Sequence, residues 1–209
     1  MYHTPEAVRA RLEREHPALM GCTGALWDIY ELLYRVFANG GKLLLCGNGG
    51  SAADCDHIVG ELMKGFLLRR PVPAEVAGHP ALEGEGALLQ GALPAISLVG
   101  QTALSTAYAN DVAAEMIFAQ QVYGLGRPGD VLLGISTSGN AKNVCSALRV
   151  ARAVGMQTIG FTGAGGGQML DLCDICLRVP ATETYRVQEM HLPLYHALCA
   201  MLEVAFFAE

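Results

Sequence analysis

The chain has 209 residues, a length that suits one α/β domain built around a single core. It is 52% hydrophobic and only 16% charged, with 25 glycines, which argues against disorder and for a buried interior with glycine-made turns. The formal net charge is -6, and Arg69-Arg70 is too short a basic run to be an electrostatic footprint for nucleic acid.

From the N-terminus, Met1 to Arg14 is polar and charged, unlike the apolar centre of a signal peptide. The most apolar stretches, such as Val131 to Ile135, fall short of the about 20 residues of a membrane span. A cytoplasmic protein with no membrane partner is therefore expected. The seven cysteines are scattered through apolar segments and read as reduced, core-filling thiols. Cys173-Asp-Ile-Cys176 has CxxC spacing but no second pair, which makes it weak evidence for zinc or redox chemistry.

Residues 5–38 read as helix in two pieces, interrupted near Cys22-Thr23 and stopped by Gly40-Gly41. A repeating unit follows, in which a short apolar run leads through a Gly/Ser/Thr turn into an amphipathic segment. "KLLLCG" leads into residues 51–66, "LPAISLVG" into 102–124, "DVLLGIS" into 140–154, "QTIGFTG" into 166–172 and "ICLRVP" into 184–207. Near-continuous apolar runs alternating with helices predict a parallel sheet covered on both faces, whose ligands bind beyond the carboxyl ends of the strands. Residues 71–94, rich in Pro, Gly and Ala, break this rhythm and read as a long surface excursion with one short helix.

Two turns fall at the predicted ligand edge. "ISTSGNAKN" places Ser136, Thr137 and Ser138 after a buried strand, with Asn140 as the expected N-cap of the next helix. Backbone N–H groups at a helix start, together with neighbouring hydroxyls, suit a phosphate monoester. "GNGGSAAD", from Gly47, makes the same offer without being a Walker A loop or a GxGxxG fingerprint. Either turn alone could be a cap that binds nothing; both on one edge suggest a ligand with a phosphate at one end and hydroxyls along its length, a sugar phosphate.

Behind the first turn, His57 and Glu61 lie four residues apart and so share a helix face. They could hold a zinc ion or simply hydrogen-bond to each other. In the last segment Gln188, His191, Tyr195 and His196 interrupt an apolar stripe, and spacing does not choose between His191 and His196 as a partner for them. Pro193 lies within this predicted helix. Asp54 and Asp56 read as helix-start charges that favour the dipole.

The segments "CGNGGSAADCDHIVGEL", "AND", "PGDVLLGISTSGN", "GFTGAGGG" and "RVQEMHLPLYH" together resemble the SIS (sugar isomerase) family, and within it the sedoheptulose 7-phosphate isomerases. The resemblance runs from about Leu33 to the end. It implies a three-layer α/β/α sandwich with a five-stranded parallel sheet, residues 1–209 forming one SIS domain with residues 1–39 as an added helical part. It also implies a homotetramer with sites at subunit interfaces and one Zn2+ per subunit.

By the same resemblance, Asn48, Gly49, Gly50, Ser51, Glu61, Asn110, Asp111, Ser136, Thr137, Ser138 and Gln188 bind the sugar phosphate. The metal ligands would be His57, Glu61, Gln188 and His196, which settles the tie between the histidines by analogy. Glu61 and His196 would carry the catalysis, converting sedoheptulose 7-phosphate to D-glycero-D-manno-heptose 7-phosphate. Ala141 stands where the family commonly has serine, and the 71–94 excursion looks longer than the usual connection. Two rival readings stay open at this point: an isomerase of another sugar phosphate, and a non-catalytic phosphosugar sensor or protein-binding adaptor that kept the loops.

Overall fold

A computed structural model describes residues 4–208. Helix α1 (Pro5–Glu15) begins where the Thr4 hydroxyl accepts the Ala7 N–H and Pro5 fills the first position, and it ends before Pro17. A 3-10 stretch (Pro17–Cys22) joins it to α2 (Thr23–Ala38). Strand β1 (Leu43–Gly47) then leads into α3 (Gly50–Met63).

The 71–94 excursion contains helix α4 (Ala74–Ala77) and two 3-10 turns, Pro80–Leu82 and Glu85–Leu88. Its ends are pinned to each other by a bridge between Pro71 and Gln90, and to the end of α3 by the Gln90 side chain, which accepts the Gly65 N–H at 2.7 Å. Strand β2 (Ala95–Ser97) follows.

The stretch expected as one helix over residues 102–124 is broken. Helix α5 (Thr102–Tyr108) passes into a π turn at Ala109–Ala113 and a 3-10 turn at Ala114–Met116 before α6 (Ile117–Leu125). The break comes at Ala113, whose extended backbone (φ -164°, ψ 126°) interrupts the helical ladder. The remaining elements are β3 (Val131–Ile135), α7 (Lys142–Ala153), β4 (Gln157–Thr162), α8 (Met169–Leu172), β5 (Ile175–Arg178) and α9 (Thr184–Phe207).

The five strands form one parallel sheet in the order β2-β1-β3-β4-β5, as the alternation of apolar runs and helices predicts. Side chains alternate across it. Leu43 and Leu45 of β1, Leu133 and Ile135 of β3 and Phe161 of β4 enter a core with α1, α2, α3 and α9, while Leu44, Cys46 and Leu132 enter a second core with α6 and α7. The result is a three-layer sandwich. Strand order reverses between β1 and β3, so the crevice where an α/β sheet takes its ligand lies between the loops that leave these two strands.

Helix α9 corrects one expectation from the sequence: by length and composition it could cross a membrane. Instead, 61% of its most apolar window is buried within the fold. The core layer containing α1, α2 and α3 closes over its apolar residues, from Leu194 to Val204.

Candidate active site

The loops after β1 and β3 are tied directly to each other. The amides of Asn48 and Asn143 exchange two hydrogen bonds of 2.8 Å each, joining the first loop to the start of α7. Asn143 belongs to the quoted turn but was not among the residues picked out from the sequence; its signal was a polar side chain in the first turn of the helix after a buried strand. Gly49 (φ 57°) turns the chain into α3 in a region that favours glycine. At Gly50 a Cβ would stand 2.5 Å from Gln188 Nε2, so the absence of a side chain there lets Gln188 of α9 lie over the start of α3.

The second loop is built on Gly139 (φ 67°), where a Cβ would meet the Gly166 carbonyl at 1.9 Å. Ser136 is buried, and its hydroxyl accepts the Ala141 N–H; Ser138 is exposed and accepts the Asn140 N–H at 3.2 Å. Asn140 is not the N-cap of α7. That position falls to Ala141, with no side-chain cap, because the Asn140 amide is drawn away to the Ser138 carbonyl and the Gln168 N–H, both at 3.0 Å. Asn110 and Asp111 lie exposed on the π turn, where the Asn110 amide donates to the Asp111 carboxylate at 2.8 Å. Among the described residues no hydrogen bond links their side chains to the other candidates.

Helices α3 and α9 share one core layer, and this brings His57 and Glu61 to the C-terminal helix. His57 Nε2 lies 3.3 Å from Glu61 Oε1 and 3.3 Å from His196 Nε2. The other Glu61 oxygen accepts from Lys64 Nζ at 2.9 Å, which orients the carboxylate. His196 also lines a groove of about 230 Å³ beside α1, with Glu15 and His16. Burial, and after it the charge of His57, lowers the His196 pKa, so its imidazole is held in the neutral form that accepts a proton or binds an ion.

The two histidines that spacing could not separate have different surroundings. His191 is fully buried beside Phe161, with Nε2 at 3.4 Å from the Thr162 carbonyl and Nδ1 without a partner; burial holds its pKa down at about 4. It is His196 that meets His57.

Asp54 is not a helix-start charge. Helix α3 begins at Gly50, which puts Asp54 beyond its first turn and against α9, where it accepts the Tyr195 hydroxyl at 3.2 Å. Burial raises its pKa, an effect partly offset by the Tyr195 hydrogen bond and the nearby His57.

A tetrahedral ion with donors at about 2.05 Å spaces them about 3.3 Å apart. The two contacts at His57 have that spacing, and an imidazole, a carboxylate and a second imidazole are an ordinary donor set for zinc. The donors are therefore of the right kind for a divalent cation, and the two contacts at His57 have suitable spacing, with Gln188 nearby over Gly50. The described residues do not gather three or more His, Cys, Asp or Glu side chains into a ready-made cage: Glu61 and His196 each approach His57, and Lys64 shares the Glu61 carboxylate.

The SIS domain model matches residues 22–163. The chain is 45% identical over 181 residues to a phosphoheptose isomerase of Roseiflexus sp. (strain RS-1), covering 87% of this chain and 82% of that protein. It is 40% identical over 202 residues to one from Maridesulfovibrio salexigens, covering 97% and 89%. Among solved structures, a phosphoheptose isomerase from Neisseria gonorrhoeae superposes with a TM-score of 0.74 at 34% identity, over 94% of both chains. One from Francisella tularensis gives 0.76 at 32% identity, over 92% and 91%. With sheet order, paired loops and near full-length similarity in agreement, the chain belongs to the SIS domain family and stands within it beside the phosphoheptose isomerases.

Proposed function

We infer that the chain is an aldose–ketose isomerase that converts sedoheptulose 7-phosphate to D-glycero-D-manno-heptose 7-phosphate through an enediol. The observation that carries the reading is the convergence of His57, Glu61 and His196 from two helices beside the loops of the strand-order reversal, in a chain 40–45% identical to phosphoheptose isomerases. In this reading the phosphate sits at the Ser136, Thr137 and Ser138 turn, where hydroxyls meet the N-terminus of α7, which has no side-chain cap. Asn48, Gly49, Gly50, Ser51, Asn110, Asp111 and Gln188 hold the sugar oxygens.

The reaction moves one proton from C1 to C2 and one between the two oxygens. Glu61 takes the C1 proton and returns it at C2, its carboxylate oriented by Lys64. His196, neutral near pH 7, shuttles the hydroxyl proton from the other side. His57, Glu61, Gln188 and His196 would hold one zinc ion, which when bound supplies Lewis-acid polarisation of the carbonyl. A carboxylate that ligates an ion is a weaker base, so ion binding and proton abstraction compete at Glu61.

We also propose a homotetramer, in keeping with exposed apolar residues such as Tyr123, Val112 and Leu192, and a cytoplasmic location, in keeping with seven cysteines that are all free. Light scattering at four times the 22.1 kDa chain mass tests the assembly. The activity is tested by incubating the protein with a panel of ketose phosphates, with and without zinc, and following aldose product. Turnover confined to sedoheptulose 7-phosphate is expected. Silence across the panel with measurable phosphosugar binding would overturn the reading in favour of a sensor.

A further inference from the structure

Tyr195 was conspicuous in the sequence as a polar break in an apolar stripe, and neither the phosphate loops nor the acid–base pair uses it. It is 1% exposed and packed against both histidines of the site, with ring centroids 5.4 Å from His57 and 5.0 Å from His196, both edge-on. Its hydroxyl donates to Asp54 Oδ1 at 3.2 Å and lies 3.0 Å from His57 Nδ1. A phenol has one proton. Once that proton is given to the Asp54 carboxylate, the oxygen can only accept, so His57 Nδ1 must carry a hydrogen.

We propose that Asp54 and Tyr195 form a relay that fixes His57 as its Nδ1–H tautomer and so aims the Nε2 lone pair at the space shared by Glu61 and His196. Both are positioning residues, since they reach the site only through His57. The inference rests on the reading of that space as a cation site. With Nδ1 protonated, the neutral ring presents a lone pair to Glu61 Oε1 at 3.3 Å, and two lone pairs at that distance repel unless a cation or a proton lies between them. An outer partner that holds a ligand histidine in one tautomer and orientation is a common support for metal sites, and its loss costs about 10- to 100-fold in metal affinity. Here the partner is a tyrosine with a half-buried carboxylate behind it, carried on α9 and α3 respectively, so the relay also locks the two helices in register across the site.

The test uses the full chain with zinc alone, in chelator competition, and ring 15N shifts of His57 identified by comparison with His57→Gln. Wild type is expected to show His57 as the Nδ1–H form at pH 8 without metal. Tyr195→Phe keeps the ring packing and removes the relay: His57 should become a tautomer mixture and zinc affinity should fall about 10- to 100-fold. Asp54→Ala should do the same, and the double variant should lose no more than Tyr195→Phe alone, because the carboxylate acts only through the phenol. Asp54→Asn, which keeps an acceptor for the phenol, should recover most of the affinity.

An unchanged His57 tautomer in Tyr195→Phe, or additive losses in the double variant, overturns the relay. Failure of wild type to bind zinc would overturn the cation reading alone, while the 15N shifts would still decide for or against the tautomer.

Discussion

Glu203 of α9 is fully buried, and its carboxylate ties the site-bearing end of α3 to α9. Oε1 accepts the Phe66 N–H at 2.8 Å and Arg70 Nε at 2.7 Å, and Oε2 accepts the N–H groups of Leu67 and Leu68. Arg70, also buried, passes the connection on by donating to the carbonyls of Leu62 at 2.7 Å and Glu61 at 2.9 Å. In Glu203→Gln the side chain keeps its shape, but whichever oxygen becomes NH2 then faces donors, and the Arg70 charge is left without a counter-ion. Breaking one partner of a buried pair costs about 3–5 kcal/mol, which in a domain of this size lowers Tm by roughly 6–20 °C. Turnover should fall further than stability alone explains, because the Glu61 backbone loses its anchor. Thermal melts with kinetics well below Tm separate the two effects. A Tm within a degree or two of wild type would refute the anchoring argument.

Other outcomes follow from single residues. Gly139→Ala combines a positive φ with a backbone clash at the Gly166 carbonyl and should cost about 1–3 kcal/mol in urea unfolding while raising KM for the sugar phosphate; an unchanged KM would remove the turn from the binding site. Asn143→Ala removes both hydrogen bonds to Asn48 and should raise KM up to about 10-fold while lowering Tm by a few degrees, as two exposed hydrogen bonds of about 0.5–1.5 kcal/mol each allow. His191 has a folded pKa of about 4 against an unfolded 6.5, so the unfolded chain binds the extra proton between these values and stability falls as pH drops through that window. The loss is about 2 kcal/mol from pH 7 to pH 5, and His191→Leu should abolish this part of the slope; equal slopes in urea melts would contradict it.

Much of the architecture was legible because strand and helix periodicities are written in burial. The run Leu43-Leu44-Leu45-Cys46 had to be buried on both faces, and it lies inside the sheet, flanked by β2 and β3 and sandwiched between two cores. The Asn110 region was not legible. Its apolar spacing continues as one helix, while the chain makes a π turn and an extended residue at Ala113. For the site, the i, i+4 rule joined His57 to Glu61, but choosing His196 over His191 required knowing which face of α9 meets α3, a fact of packing that spacing does not contain. Asp54 was misread for the same reason, since its partner Tyr195 is 141 residues away.

The central claim is that Glu61 and His196 carry the proton transfers, and it is tested most directly by following sedoheptulose 7-phosphate by NMR in D2O with wild type, Glu61→Gln and His196→Asn. The account predicts an aldose product with wild type, carrying deuterium at C2 to the extent that the proton held on Glu61 exchanges with solvent, and a fall in turnover of about two orders of magnitude or more in each variant with Tm preserved. Near-normal turnover by either folded variant would contradict it.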